Sequence, residues 1–204
     1  MGFYQERVLP HLIQMSMKQE QLEPYRRRVT AGARGRILEI GVGSGLNLPL
    51  YEAGTKVVGL DPSARLLSMA REAAVDRTHS VELIEGSAES LPLPDHEFDT
   101  VVTTWTMCSI PNVARALSEI RRVLKADGRL VFAEHGLAPS PGVVRWQNAL
   151  TPVWKRIGGG CHLNRAIDRL IVANGFRITT LKTGYTKGPK PMTFMYEGEA
   201  GPVR

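Results

Sequence analysis

Arg36-Ile37-Leu38-Glu39-Ile40-Gly41-Val42-Gly43-Ser44-Gly45-Leu46-Asn47 decides how this chain is read. Ile37, Leu38 and Ile40 form a short apolar run of the kind that makes a buried strand. Three glycines at alternate positions follow, and the residues from Leu46 to Tyr51 can open a short helix. Glycine lets the backbone turn sharply and come close to a ligand, while a helix start directs free amides at it. A strand, a glycine-rich turn and a helix together make a general holder for a nucleotide-like ligand.

Outward from that turn, strand and helix patterns alternate. Lys56 to Asp61 reads as a second buried strand ending in a carboxylate, and Pro62-Ser63 suits the start of a helix running to about Val75. Val81 to Glu85 and Phe98 to Trp105 read as third and fourth strands. Val113, Leu117, Ile120, Val123 and Leu124 have helical spacing, with Lys125-Ala-Asp-Gly128 as a glycine stop before a fifth strand at Arg129 to His135. The last third holds a helix at Val143 to Ile157 interrupted by Pro152, a Gly158-Gly159-Gly160 turn and a helix from Arg165 to Asn174 ended by Gly175. Strands at Phe176 to Leu181 and Met192 to Glu197 follow, the last paired antiparallel at one side.

This alternation predicts an α/β fold: a single-domain, Rossmann-like doubly wound sheet of seven strands, mostly parallel with an antiparallel last strand, and helices on both faces. Residues 3–28 read as helical, with Pro10 marking a break. An N-terminal helical cap at 1–30 ahead of a cofactor-binding domain at 31–204 is the expected organisation. Ligands in such sheets bind beyond the carboxyl ends of the strands. Those ends carry Gly41 to Gly45, Asp61, Gly86 to Glu89, Thr104 to Cys108 and Glu134-His135.

Composition excludes little else. At 204 residues, 43% hydrophobic and 23% charged, the chain suits one soluble domain. No apolar run approaches the roughly 20 residues of a membrane span, and Met1 to Glu6 lacks a signal-peptide pattern, so a cytoplasmic location is the expectation. The net charge of +6 centres on Arg26-Arg27-Arg28, with Arg34 and Arg36 behind. That run raises nucleic acid, which the scatter of the other charges disfavours, and peripheral contact with an anionic membrane; a solvated basic face is the simpler account.

Asp61 lies 20 residues after Gly41, where a carboxylate can accept both hydroxyls of a ribose. A dinucleotide fingerprint would need glycine where Leu46 stands. Glu39 adds a negative charge that a phosphate would not tolerate but a cationic ligand would. S-adenosylmethionine carries a sulfonium and an ammonium and no phosphate.

With these residues the chain resembles the class I S-adenosylmethionine-dependent methyltransferases. Glu39-x-Gly41-x-Gly43-x-Gly45 looks like their first motif and Asp61-Pro62 like their second. Gly86-Ser87-Ala88-Glu89-Ser-Leu-Pro92 resembles the segment that brackets the adenine; Phe98-Asp99 and Arg122-Val-Leu-Lys-x-x-Gly128 match later motifs. The resemblance implies that the backbone around Gly41 to Gly45, with Glu39 and Asn47, meets the methionine part and Asp61 the ribose. It also implies that Ser87-Ala88 meets the adenine edge and that Thr104 and Trp105 lie beside the cofactor. Many relatives have aspartate at Ser87, so that contact weakens or moves to Glu89. A narrower resemblance, through Thr104-Trp-Thr-Met-Cys108-Ser109-Ile-Pro-Asn112, Glu134-His135 and Gly160-Cys161-His-Leu-Asn164-Arg165, is to the methyltransferase-like 7 group. That group includes thiol methyltransferases and has bacterial relatives labelled phospholipid N-methyltransferases. Its eukaryotic members carry an N-terminal membrane anchor, which this sequence lacks.

The function implied is methyl transfer from S-adenosylmethionine, leaving S-adenosylhomocysteine, to a small, fairly apolar thiol or amine. A phospholipid amine is the alternative acceptor. A non-catalytic S-adenosylmethionine sensor and a nucleotide-dependent oxidoreductase are rivals of other classes, the second opposed by Leu46. The Thr-Thr-Trp-Thr stretch at the fourth strand, in place of an Asn-Pro-Pro-Tyr-like motif, argues against RNA or protein substrates. A neutral amine needs little help before attack, whereas a thiol must reach the thiolate. His135 is the candidate base, or else bonds its own loop; His162 is a second candidate. Cys108 and Cys161 read as buried thiols or pocket lining, and Trp146 and Trp154 as one wall of an acceptor pocket or as core packing. No ligand spacing joins His135, Cys161 and His162, so no metal is expected.

Overall fold

The structure, a computed structural model, describes residues 7–75 and 80–203. Residues 3–6 of the expected first helix therefore lie outside the described residues. Seven strands form one sheet: β1 (Arg36–Ile40), β2 (Lys56–Asp61), β3 (Ser80–Glu85), β4 (Phe98–Thr104), β5 (Leu124–His135), β6 (Phe176–Tyr185) and β7 (Phe194–Pro202). Their order is β3-β2-β1-β4-β5-β7-β6. β1 pairs in parallel with β2 and with β4, so the sheet winds outward in both directions from the β1/β4 boundary. The crevice beyond that boundary is where a doubly wound sheet holds its ligand.

β7 does not finish the sheet at its edge. It inserts between β5 and β6, antiparallel to both. β4 is buried along nearly its whole length, and β5 from Leu130 to His135, because helices cover both faces. On one face Ile37, Val57, Val102 and Val131 pack against Val29 of α2 (Glu23–Gly32) and Leu67 and Ala70 of α3 (Ala64–Ala74). On the other, Leu38, Val101 and Phe132 meet Leu117 and Ile120 of α4 (Val113–Val123) and Ile167 and Ile171 of α6 (Ile167–Ala173).

Three local expectations need correction. The chain after Gly45 forms only a 3₁₀ turn at Leu48–Leu50, so no α-helix start faces the glycine turn. Lys125 to Gly128 is no helix stop: α4 ends at Val123, Leu124 is extended, and β5 begins there. Gly128 is required for close approach, since a Cβ there would lie 2.9 Å from Leu124 Cδ2 and 3.1 Å from the Phe98 carbonyl oxygen. Pro152 does not interrupt α5 (Pro141–Ile157), which runs through it. Gly175, by contrast, does stop α6, in the left-handed region at φ +83°.

α1 (Leu9–Met17) lies between α3 and the turn after α5. His11 Nε2 is 3.5 Å from Arg65 Nη2, and Leu9 and Ile13 are the side chains a Cβ at Gly159 would meet. The Arg26-Arg27-Arg28 run is not a basic patch. Arg26 is buried, Arg27 pairs with Glu23 one turn earlier, and Arg28 grips Glu197 of β7 with both a 2.6 Å and a 2.9 Å bond. α7 (Lys190–Thr193) is a single turn leading into β7.

Candidate active site

The glycine turn is held by its backbone and by what each glycine faces. Gly41, Gly43 and Gly45 have φ of +70°, +56° and +78°, a region that other residues enter only with strain. A Cβ at Gly41 would overlap Thr106 and one at Gly45 would press on Leu48 and Ala70, but at Gly43 the nearest atom is 3.9 Å away. The open side of the turn is therefore at Gly43. Asp61 Oδ2 accepts from the Gly43 amide at 3.0 Å and Oδ1 from the Ser63 amide at 2.8 Å. Those two bonds leave lone pairs on both oxygens for further donors.

Beneath the turn lies a buried polar chain. Glu39 Oε1 accepts from Asn47 Nδ2 at 2.8 Å, and Oε2 accepts from the Tyr51 hydroxyl at 2.8 Å. Asn47 Nδ2 also reaches Thr104 Oγ1 at 3.1 Å, and Asn47 Oδ1 accepts from Arg26 Nη1 at 2.9 Å. Burial pushes the Glu39 carboxyl up to about 7; bonds from Tyr51 and Asn47 and the Arg26 charge pull the other way, and Asp61 adds a smaller upward push. Burial also raises Asp61, opposed by the Ser63 and Gly43 amides.

This chain of groups brings together Glu39, Gly41, Gly43, Gly45, Asn47, Asp61 and Thr104, all picked out in the sequence. Trp105 joins them by an unusual route: its φ is +51°, and its ring lies 4.8 Å from the Arg26 guanidinium carbon and 6.3 Å from the ring of Tyr25. Pro62 is exposed ahead of α3, whose N-cap is Ser63. Ser87 is exposed and Ala88 buried. Glu89 is already engaged, accepting from the Asn112 amide at 2.7 Å and the Ser87 hydroxyl at 3.3 Å, so it anchors the start of α4.

Two carboxylates around an open glycine turn, with no cluster of cations, suit a ligand bearing positive charge and ribose hydroxyls rather than phosphates. The chain matches the methyltransferase domain family over residues 38–132. It is 36% identical over 153 residues to the phosphatidylethanolamine N-methyltransferase of Cereibacter sphaeroides, covering 72% of this chain and 74% of that one. The chain belongs to the S-adenosylmethionine-dependent methyltransferase family.

Other members similar to it are thiol S-methyltransferases TMT1B of Rattus norvegicus, 36% identical over 63% of this chain, and of Homo sapiens, 34% identical over 66%. The chain spans 54% and 57% of the length of those two relatives. Its fold is shared with an S-adenosylmethionine-dependent methyltransferase of Thermotoga maritima, at a TM-score of 0.67 and 20% identity over 98% of this chain and 99% of that one. The donor set fits the cofactor of the family. Asp61 keeps acceptor lone pairs beside the turn, Glu39 and Asn47 are bonded to each other beneath it, and Gly43 leaves open the space that a side chain would fill.

Beyond the ends of β4 and β5 the chain gathers a second group. His135 Nε2 is 2.9 Å from Cys161 Sγ, and Cys108 Sγ completes a buried trio whose ligand atoms all lie within 4.8 Å of one another. Cys108 Sγ also points to the Trp105 carbonyl at 3.5 Å. A hydrogen bond from Cys161 holds Cys108 well below the usual thiol range, helped by the charge of His135 and opposed by burial. Cys161 is shifted up as the proton-keeping partner. Burial lowers His135, but Cys108 outweighs it and the net shift is upward. Glu134 Oε1 accepts from the Thr106 and Met107 amides at 3.0 and 3.2 Å, and burial, then Cys108, pushes its carboxyl up to about 8. His162 stays outside the trio, its Nδ1 3.1 Å from the Cys108 carbonyl oxygen.

The two tryptophans part company. Positions eight apart on an α-helix differ by about 80° around its axis. Trp146 is 64% exposed, whereas Trp154 is half-buried against Cys108, Cys161 and Leu163. Sequence reasoning missed Arg26, Tyr51 and Gln147. Fully buried Gln147 donates to the carbonyls of Gly136 and Leu163, both at 2.9 Å, and accepts from the Ala138 amide, fastening the acceptor-side loops to α5. Nothing in the spacing of these three marks them; only Arg26 stood in a run that drew attention.

Proposed function

We propose that this chain transfers a methyl group from S-adenosylmethionine to the sulfur or nitrogen of a small, fairly apolar acceptor. The observation that carries this reading is the pair of buried carboxylates, Glu39 and Asp61, set around the open face of Gly43. When bound, S-adenosylmethionine supplies an electrophilic methyl on a positively charged sulfur. Glu39 and Asn47 orient the amino-acid end, Asp61 takes the ribose hydroxyls, and Ser87 and Ala88 border the adenine. Trp105, clasped by Arg26 and Tyr25 of α2, closes the site against water, so residues 1–30 act as its cap.

The geometry changes the part given to His135. Its Nε2 is turned to Cys161 Sγ at 2.9 Å, so that nitrogen is engaged within the thiol cluster rather than presented as a free base to the acceptor. An amine attacks as its neutral form and needs no base. A thiol must lose its proton first, and the cluster beyond β4 and β5 is the polar group on that side able to manage it. The Arg26 to Arg28 run is engaged by Asn47, Glu23 and Glu197 and so does not itself form a basic track for nucleic acid, which supports a small-molecule acceptor.

A phospholipid amine is the second reading, favoured by one surface. α5 exposes Trp146 (64%) and Val153 (59%) beside the exposed Arg145 and Arg156, and the adjoining α1 exposes Met15 (68%). An apolar stripe flanked by cations suits the surface of an anionic membrane. Among the described residues no helix is long and apolar enough to cross one.

The test is a methyl-transfer assay with labelled S-adenosylmethionine against panels of alkyl and aryl thiols, amines and phospholipid vesicles. Labelled product from thiols or small amines is expected, and product from vesicles alone would select the second reading. Binding of S-adenosylhomocysteine with no product from any panel would identify a sensor instead. Binding of NAD in its place would overturn the cofactor assignment.

A further inference from the structure

Cys108, His135 and Cys161 come from three separate segments: the loop after β4, the end of β5 and the glycine turn after α5. That turn exists to make the meeting. Gly159 and Gly160 have φ of +64° and +85°, and the His162 amide donates to the Cys108 carbonyl at 2.9 Å, laying Cys161 beside Cys108. All three side chains are at most 8% exposed, and both thiols are free of any disulfide. His135 Nδ1 has no hydrogen-bond partner among the described residues, so the ring's hydrogen bonding there is through Nε2.

We propose that Cys108, His135 and Cys161 form a zinc site. Two sulfurs and an imidazole nitrogen are the donors this borderline-soft, d¹⁰ ion prefers, and three protein ligands leave a fourth tetrahedral position for water or an exogenous thiolate. Bond lengths of about 2.3 Å to sulfur and 2.0–2.1 Å to nitrogen place the ligand atoms roughly 3.5 Å apart around the ion. The His135–Cys161 distance of 2.9 Å opens by a few tenths of an ångström to reach that geometry, and all three ligand atoms already lie within 4.8 Å of one another. Two thiolates cancel the charge of the ion. Arg165, whose guanidinium donates to the Met107 carbonyl, and Glu134, whose Oε2 is buried without a partner among the described residues, lie beside the trio. The same three residues carry no such signal in the sequence, where positions 108, 135 and 161 have no ligand spacing.

The inference does not depend on the methyl-transfer reading and is tested without activity. Reduced wild-type protein is loaded with zinc or with cobalt(II), freed of excess metal by gel filtration and assayed by elemental analysis and absorption. Stoichiometric zinc is expected. The cobalt form should show thiolate-to-metal charge transfer with the intense visible bands of a tetrahedral site, and zinc should protect Cys108 and Cys161 from alkylation read by peptide mass spectrometry. The Cys108→Ser/Cys161→Ser variant should lose the metal. The wild-type cobalt spectrum and the alkylation pattern stand alone if that variant does not fold. Protein that retains no zinc, a cobalt spectrum without thiolate bands, alkylation indifferent to zinc, or equal retention by the double variant would each overturn the proposal. So would a Cys108–Cys161 disulfide that, once reduced, still takes up no metal.

Discussion

Glu39 is a carboxyl with two neutral donors, a nearby guanidinium and no access to water. Its folded pKa, about 7, lies above the ordinary 4.5, so the fold favours the protonated form. Stability from this group is fully present below pH 4.5 and is lost as the pH rises to about 7, by roughly 3 kcal/mol. Glu39→Gln should flatten that fall, read by urea denaturation across the same window. Affinity for S-adenosylhomocysteine should move the opposite way, rising through pH 7 as Glu39 gains the charge that faces an ammonium group, and Glu39→Gln should remove the rise in calorimetry. Asp61 works by its lone pairs. Asp61→Ala frees the Gly43 and Ser63 amides as well as the ribose site, so binding should weaken by about 2 kcal/mol, near thirtyfold. Unchanged affinity would remove Asp61 from the site.

At the scale of elements, α2 and the start of β5 carry the arguments. Arg26 ties α2 to Asn47, to the Met17 carbonyl at 3.1 Å and to the Trp105 ring. Arg26→Ala should cost about 2–3 kcal/mol. Hydrogen exchange should show the loss first in α1 and α2, with the amides of β1 and β4 protected as before. Equal loosening of sheet and helices would mean that the segment is not held chiefly through this residue. Gly128→Ala tests β5: with two backbone oxygens and Leu124 within about 3 Å of the new Cβ, it should destabilise by about 1–3 kcal/mol, read as a lower thermal midpoint. Had Gly128 been a helix stop, the cost would have come from its φ. It comes instead from crowding.

For the whole molecule, the question is which surface meets the acceptor's phase. The exposed Trp146 and Val153 share one face of α5, with the exposed Arg145 and Arg156 about a quarter-turn round the helix from it. Co-sedimentation should therefore show preference for anionic over zwitterionic vesicles, weakened by salt, since each basic residue near such a surface contributes about 1 kcal/mol. Trp146→Ser with Val153→Ser should lower vesicle binding by roughly tenfold or more through lost apolar burial. No difference from wild type would leave this face simply solvated.

The sequence by itself determined the strand-and-helix alternation, the open glycine turn and the partners of that turn. Each of these is local: Ile37 to Ile40, Gly41 to Gly45 and Asp61 declare themselves through short-range periodicity, backbone freedom and spacing. Element ends were legible only where one residue dictates them, as at Gly175, and misread where a contact does, as at Gly128. Tertiary structure alone decided that Arg26 turns inward while Arg27 and Arg28 turn out, that β7 slides between β5 and β6, and that Cys108, His135 and Cys161 meet. Those outcomes depend on how separate crossover connections bring distant segments to one end of the sheet. Hydrophobic period fixes which face of an element is buried, but not which remote side chain it will find there.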